Sequence, residues 1–128
     1  MSLPPAGTGV GSHRTVLIVD DQQEFRAVAR SLLTEAGYRV VGEASTGAEA
    51  TAAVTRLRPD VVLLDVELSD VDGFVVAEAL ALKEPPPAVV LTSSRDERSY
   101  HRRLSTSPAR GFIPKDRLSA ETLRRVLE

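Results

Sequence analysis

Three short apolar runs, each ending beside a polar side chain, most constrain what this chain can fold into. They occupy residues 16–19, 61–64 and 88–92. Continuous apolar runs of this length are typical of strands buried on both faces of a parallel sheet. The segments between them carry apolar residues at spacings of three and four, which predicts helices with one buried face. Alternating strands and helices predict an α/β fold with right-handed crossovers and helices on both faces of the sheet.

Turn and cap residues give this alternation its boundaries. Gly37 stands where a glycine ends a helix, and Thr46 and Ser119 stand where N-caps begin the next helices. Prolines at 85–87 end a helix. The sequence predicts strands at residues 16–19, 38–44, 60–65, 88–92 and 111–114, and helices at 22–36, 47–58, 74–83, 96–104 and about 120–127. Residues 1–14 are rich in Gly, Pro and Ser and are predicted to be a flexible leader to one domain at 15–128.

Composition excludes several classes of protein. The chain has no cysteine, which excludes disulfides, thiolate catalysis and cysteine-ligated metals, and its two histidines argue against a multi-histidine site. A net charge of -2 gives no general attraction to nucleic acid or membranes. No apolar run approaches the roughly 18 residues of a membrane span, and no signal peptide is evident. We therefore expect a cytoplasmic domain that contacts neither membrane nor nucleic acid directly.

Five polar residues follow or end predicted strands: Asp20, Asp21, Asp65, Thr92 and Lys115. Ligands of open α/β sheets bind outside the carboxyl ends of the strands, so these side chains should meet. Three converging carboxylates repel one another and call for a cation, and an all-oxygen ligand set favours Mg²⁺. The lysine and the threonine could hold an anion beside the metal, and a phosphoryl group fits that role.

At these residues the chain resembles the receiver domain of bacterial two-component response regulators. The resemblance extends over about residues 16–127, and its motifs are Val-Asp20-Asp21, Leu64-Asp65-Val66, Asp72-Gly73-Phe74, Leu91-Thr92-Ser93 and Gly111-Phe112-Ile113-Pro114-Lys115. The resemblance implies a three-layer, flavodoxin-like (βα)5 sandwich with a parallel five-stranded sheet of order 2-1-3-4-5.

The resemblance also implies roles for individual residues. Asp65 would be the phosphoacceptor, receiving its phosphoryl group from a sensor histidine kinase or a phosphotransfer protein. Thr92 and Lys115 would contact the bound phosphoryl group. Thr92 and Phe112 would form the switch, in which the aromatic ring turns inward once the threonine has moved.

The same resemblance implies the metal ligands. Asp21 would bind Mg²⁺ directly, Asp20 would act largely through water, and Asp65 and the backbone carbonyl of Glu67 would complete the set. The side chain of Glu67 would tune the lifetime of the phosphoryl group, either by repelling an anion or by reaching Lys115.

Some positions depart from the family pattern. Lys115 is followed by Asp116 rather than proline, and Pro114 precedes it, which leaves the Ile113–Pro114 isomer open. Ser69 stands where proline is frequent, and Phe112 lacks the hydroxyl group of the more common tyrosine. None of these changes removes a residue implied in phosphorylation.

Charge is unevenly distributed along the chain. Residues 65–78 contain five acidic and no basic side chains, whereas residues 95–110 carry an excess of arginine. The basic stretch is either a solvated helix face or part of a docking surface. In the family, the surface of the fourth helix, fifth strand and fifth helix contacts partners or a second copy, so a homodimer is one expectation.

Three hypotheses remain at this stage. The first is a phosphoacceptor receiver domain that loses its own phosphoryl group, is no metabolic enzyme and carries no effector domain. The second is a Mg²⁺-dependent phosphatase that uses Asp65-Val66-Glu67. The third is a degenerate receiver that only binds a partner; the complete set of acidic residues and Lys115 argues against it.

Overall fold

A computed structural model describes residues 14–128, so most of the predicted leader at residues 1–14 lies outside the described residues. The strands are β1 (Thr15–Val19), β2 (Arg39–Ala44), β3 (Val61–Asp65), β4 (Ala88–Ser93) and β5 (Gly111–Pro114). The helices are α1 (Gln23–Glu35), α2 (Gly47–Leu57), α3 (Gly73–Leu80), α4 (His101–Thr106) and α5 (Ala120–Leu127). Short 3₁₀ turns occupy Glu97–Tyr100 and Lys115–Arg117. Within residues 14–128, no helix is long and apolar enough to span a membrane.

The five strands form one parallel sheet in the order β2-β1-β3-β4-β5. This confirms the fold class and the strand order. β1 and β3 are adjacent, so the residues that follow them come to the same edge. On the other side of β3, Asp65 is the direct neighbour of Thr92. The register therefore places three of the predicted polar positions side by side.

Two apolar clusters, one on each face of the sheet, make up the core. Leu17, Leu64 and Leu91 pack with the residues of α2 and α3 on one face. Ile18 and Leu63 pack with the residues of α1 and α5 on the other face. Successive residues of a strand point to opposite faces, so a strand covered on both sides needs apolar residues at every position. That requirement explains the continuous runs in the sequence and confirms the three layers.

The predicted helix caps are present. The Thr46 hydroxyl accepts a hydrogen bond from the backbone N–H of Glu49 at the start of α2. Ser119 and Thr122 form a reciprocal capping box at the start of α5. Gly37 follows α1 with a φ of 98°, a left-handed conformation that glycine adopts without steric cost.

Two helices differ from their predicted bounds. The helix predicted at 96–104 is a 3₁₀ turn followed by the short α4, which has no buried residue. A polar segment with so little apolar surface to bury gains little from a longer, regular helix. The helix predicted at 74–83 begins one residue earlier and ends at Leu80, and the chain continues as turns toward Pro85. Because the helical conformation is disfavoured for the residue before a proline, the helix could not extend through Glu84, and its end at Leu80 is earlier than this constraint requires.

Gly73 allows α3 to start directly against the end of β3. A Cβ atom at this position would lie 2.3 Å from the carbonyl oxygen of Asp65 and 2.7 Å from the Cα atom of Val66. Neither backbone atom can move without displacing the strand end. The glycine therefore sets how closely helix and strand approach beside Asp65.

We predict that Gly73→Ala lowers the free energy of unfolding by about 1–3 kcal/mol, because the added methyl group overpacks a rigid contact. Gly42→Ala is the matched control, since its Cβ atom would meet only side-chain ends, of Leu57 at 2.9 Å and of Leu17 at 3.4 Å. Urea unfolding of both variants measures the difference. Equal losses at the two positions would contradict this account of Gly73.

Candidate functional site

Three carboxylates meet at the carboxyl edge of the sheet. Asp20 and Asp21 follow β1, and Asp65 ends β3. One carboxylate oxygen from each lies within 4.8 Å of the other two. Asp20 and Asp65 are buried, with 0% and 3% of their surface exposed, whereas Asp21 faces solvent. The structure thus brings together the three acidic residues singled out in the sequence and leaves them open on one side.

Backbone contacts hold the two buried carboxylates in place. Asp20 Oδ1 accepts a hydrogen bond from the backbone N–H of Gln22 at 2.8 Å. Asp65 Oδ1 accepts one from the backbone N–H of Glu67 at 3.1 Å. Arg26 donates to the Asp20 carbonyl oxygen at 2.6 Å and pairs with Glu43 at 2.9 Å. One oxygen of each carboxylate is therefore used locally, and the other is free for a charged partner.

Lys115, which directly follows β5, supplies that partner. Its ammonium nitrogen lies 2.7 Å from Asp20 Oδ2 and 3.5 Å from Asp65 Oδ2. It also donates to Gln22 Oε1 at 3.3 Å and sits 4.7 Å from the centre of the Phe25 ring. The lysine side chain is only 12% exposed. Its charge therefore acts at close range on both buried carboxylates.

Burial raises the pKa of Asp65 to about 6, and the neighbouring Asp20 charge adds to this rise. The hydrogen bond from Glu67 N–H and the Lys115 ammonium oppose it, while Asp21 contributes a smaller increase. Near neutral pH the carboxylate is mostly ionised but is destabilised by its surroundings. A further positive charge at this position would favour the ionised form.

Thr92 Oγ1 is a buried oxygen at this edge that makes no hydrogen bond within the described residues. The contact of the buried Asp20 Oδ2 atom is the ion pair with Lys115, at 2.7 Å. Buried polar atoms without hydrogen bonds are costly and are uncommon in folded proteins. A carboxylate oxygen fits a hard cation such as Mg²⁺, and a hydroxyl group fits an anion. The donor set present here therefore fits both a metal ion and a bound anion.

The Glu67 side chain is turned toward the loop after β4. Its Oε2 atom accepts a hydrogen bond from the Tyr100 hydroxyl at 2.9 Å and pairs with Arg95 Nε at 3.0 Å. The sequence left two roles open for this side chain, repelling an anion or reaching Lys115. The structure shows no contact between Glu67 and Lys115. Its carboxylate is already paired with a cation.

Phe112 lies in β5 and is half-buried. Its ring centre is 5.6 Å from that of Tyr100, which in turn is 5.7 Å from that of Phe74. The sequence analysis missed Tyr100. The available signal was an aromatic residue in an otherwise polar segment, since such a residue usually has something to pack against.

Ile113–Pro114 is trans, because the only cis peptide bond in residues 14–128 is Glu84–Pro85.

Part of the basic stretch is paired with the acidic stretch of the same chain. Arg95 pairs with Glu67, and Arg103 pairs with Asp72 at 2.7 Å. Intramolecular pairing therefore accounts for part of the uneven charge.

The chain is similar to known proteins in sequence and in fold. The sequence model of the response regulator receiver domain matches residues 16–128. The chain is 37% identical over 114 residues to the probable transcriptional regulatory protein NarL of Mycobacterium tuberculosis, covering 88% of this chain and 53% of that protein. It is 42% identical over 79 residues to a protein-glutamate methylesterase/protein-glutamine glutaminase of Hahella chejuensis, covering 62% of this chain and 23% of that protein.

A solved structure shows the same fold. The signal receiver domain of the putative response regulator NarL from M. tuberculosis has a TM-score of 0.76 and 37% identity, with 90% of this chain and 94% of that chain covered. The chain spans about half or less of the two curated relatives.

We predict that Asp65→Asn stabilises the protein at high pH in metal-free buffer. The folded pKa of Asp65, about 6, lies above its ordinary value of 3.8, so stability from proton binding is complete below about pH 4 and is lost as the pH rises through 6. The variant lacks this loss. At about pH 8 it should unfold with a free energy roughly 1–3 kcal/mol larger than the wild type. Urea unfolding between about pH 4 and pH 8 measures the difference in free energy of unfolding between the variant and the wild type. A difference that did not change with pH would contradict this prediction.

Proposed function

We propose that this chain, which belongs to the family of response regulator receiver domains, takes up a phosphoryl group on Asp65 in a Mg²⁺-dependent reaction. As a receiver domain of a two-component response regulator it is a signalling domain rather than a metabolic enzyme. The observation that carries the proposal is the meeting of buried Asp65 with Asp20, Asp21 and Lys115 at one edge of the sheet.

Asp20, Asp21, Asp65 and the backbone carbonyl of Glu67 would hold the Mg²⁺ ion. When bound, the ion would offset the repulsion among the carboxylates and the charge of the incoming phosphoryl oxygens. Asp20 and Asp65 each retain one oxygen that no backbone group occupies, which is what a metal ligand requires. The exposed position of Asp21 leaves room for the water molecules that Mg²⁺ usually keeps.

Asp65 is the nucleophile of the proposed reaction. One of its carboxylate oxygens attacks the phosphorus of a phosphohistidine on a sensor histidine kinase or phosphotransfer protein. The new O–P bond forms as the N–P bond breaks, and the electron pair leaves with the imidazole. Lys115 moves from Asp20 to a phosphoryl oxygen, and the Thr92 hydroxyl donates to another. Because this transfer involves little covalent chemistry by the protein, positioning and electrostatics account for most of the catalysis.

The phosphoryl group is then lost by attack of water on phosphorus, which restores the Asp65 carboxylate and releases inorganic phosphate. The phosphatase alternative is less consistent with the structure. It requires Glu67 as a mobile acid or base, whereas this side chain is held by Tyr100 and Arg95.

Phosphorylation would act on the rest of the molecule through Thr92 and Phe112. A phosphoryl oxygen would provide the hydrogen-bond partner that Thr92 Oγ1 lacks, and would draw the end of β4 toward Asp65. The Phe112 ring would follow, which changes the surface formed by α4, β5 and α5. This surface would contact a partner or a second copy of the chain, with the domain acting in the cytoplasm and touching neither nucleic acid nor membrane.

Incubation with Mg²⁺ and acetyl phosphate should add a single phosphoryl group to the intact protein, measured by mass spectrometry. Asp65→Asn should abolish the addition because it removes the nucleophile. Asp60→Asn is the matched control, since Asp60 lies at the opposite end of β3. Addition to the Asp65→Asn protein, or sustained turnover of phosphomonoesters by the wild type, would refute the proposal.

Mg²⁺ binding should weaken by about tenfold or more in Asp20→Asn and Asp21→Asn, because each removes a negative charge from the ligand set. Isothermal titration calorimetry measures the affinity. Asp70→Asn removes one charge at the same edge, but Asp70 accepts hydrogen bonds from Gly47 and Ala48 at the start of α2. If all three variants weakened binding equally, the ion would be held by diffuse charge and not by these ligands.

A further inference from the structure

We propose that Tyr100 is a positioning residue, which holds the Glu67 carboxylate away from the phosphorylation site so that anionic phosphodonors can approach. This inference deepens the proposed function and rests on it. Tyr100 lies in the segment before α4. Of Asp65 and the predicted metal ligands, it contacts only Glu67.

Tyr100 has the geometry of a fixed anchor. Only 6% of its surface is exposed, and its ring lies between those of Phe74 and Phe112. Its hydroxyl donates to Glu67 Oε2 at 2.9 Å and lies 3.0 Å from Ser93 Oγ. The rings fix the position of the hydroxyl, and the hydroxyl in turn fixes the carboxylate.

The loop after β4 provides a second contact to the same oxygen. Arg95 Nε lies 3.0 Å from Glu67 Oε2, and the Arg95 backbone N–H donates to Ser93 Oγ at 3.0 Å. Ser93 thus connects both groups that hold Glu67. It is buried and directly follows Thr92, so the anchor is attached to the strand that carries the predicted phosphoryl contact.

Electrostatics explains why this arrangement matters. Glu67 lies two residues after Asp65, and its backbone N–H already binds the Asp65 carboxylate. A free carboxylate at this position would add negative charge to a site that already holds three acidic residues. Small phosphodonors are anions, and like charges near a partly buried site repel each other strongly. Tyr100 and Arg95 hold the Glu67 carboxylate toward the loop after β4, and the Arg95 guanidinium offsets part of its negative charge.

The test follows the initial rate of phosphorylation against acetyl phosphate concentration. Tyr100→Phe removes the hydroxyl group and keeps the ring. We expect the half-saturating donor concentration to rise roughly three- to tenfold, in line with loss of a hydrogen bond to a charged group, while the maximal rate changes little. Arg95→Gln should shift it in the same direction. Tyr38→Phe is the matched control because Tyr38 packs on the opposite face of the sheet.

The decisive comparison is made in the Glu67→Gln background. If Tyr100 acts through the Glu67 charge, Tyr100→Phe should leave the half-saturating concentration unchanged there. An equal rise in both backgrounds would overturn the inference, since Tyr100 would then act through packing alone. A fall in maximal rate with no change in half-saturation would also overturn it. Failure of the proposed function is recognised separately, because the wild-type protein itself would take up no phosphoryl group.

Discussion

The Lys115 ammonium lies 2.7 Å from Asp20 and 3.5 Å from Asp65, and the other features of the site depend on this contact. Two carboxylates are buried beside each other, an arrangement that is costly without a nearby cation. Lys115 provides part of the compensation, yet the pKa of Asp65 remains raised to about 6. Three carboxylates, of Asp20, Asp21 and Asp65, face the single ammonium group of Lys115 at this edge, so the site has an excess of acidic groups. That excess would favour a bound metal ion, which would in turn prepare Asp65 to receive an anion.

The sheet creates this excess of acidic groups by its topology. In the order β2-β1-β3-β4-β5, the central strands end side by side, so residues far apart in sequence meet at one edge. The register pairs Asp65 with Thr92, and the end of β5 delivers Lys115. Gly73 lets α3 begin against the end of β3, which fixes the backbone beside Asp65. The apolar strand interiors supply the stability that allows charged groups to be concentrated at their ends.

The sequence predicted the parts of the molecule that follow from local patterns. Continuous apolar runs indicated strands covered on both faces. The polar residues at the ends of these strands, Asp20, Asp21, Asp65 and Thr92, were predicted to meet at one edge of the sheet. The segment around α4 was harder to predict, because its polar residues carry little hydrophobic periodicity and its conformation depends on tertiary contacts. The role of Tyr100 could not be predicted, since it arises from the packing of its ring against Phe74 and Phe112. The raised pKa of Asp65 likewise depends on burial, which the sequence does not quantify.

We propose that the phosphoryl group is attached to the buried Asp65 carboxylate. Reduction of an acyl phosphate with borohydride converts an aspartyl phosphate into homoserine, which peptide mass spectrometry can locate in the chain. After treatment with Mg²⁺ and acetyl phosphate, we expect homoserine at position 65 and at no other aspartate. Homoserine at Asp20 or Asp21, or a stable phosphate on a serine, threonine or histidine, would contradict it.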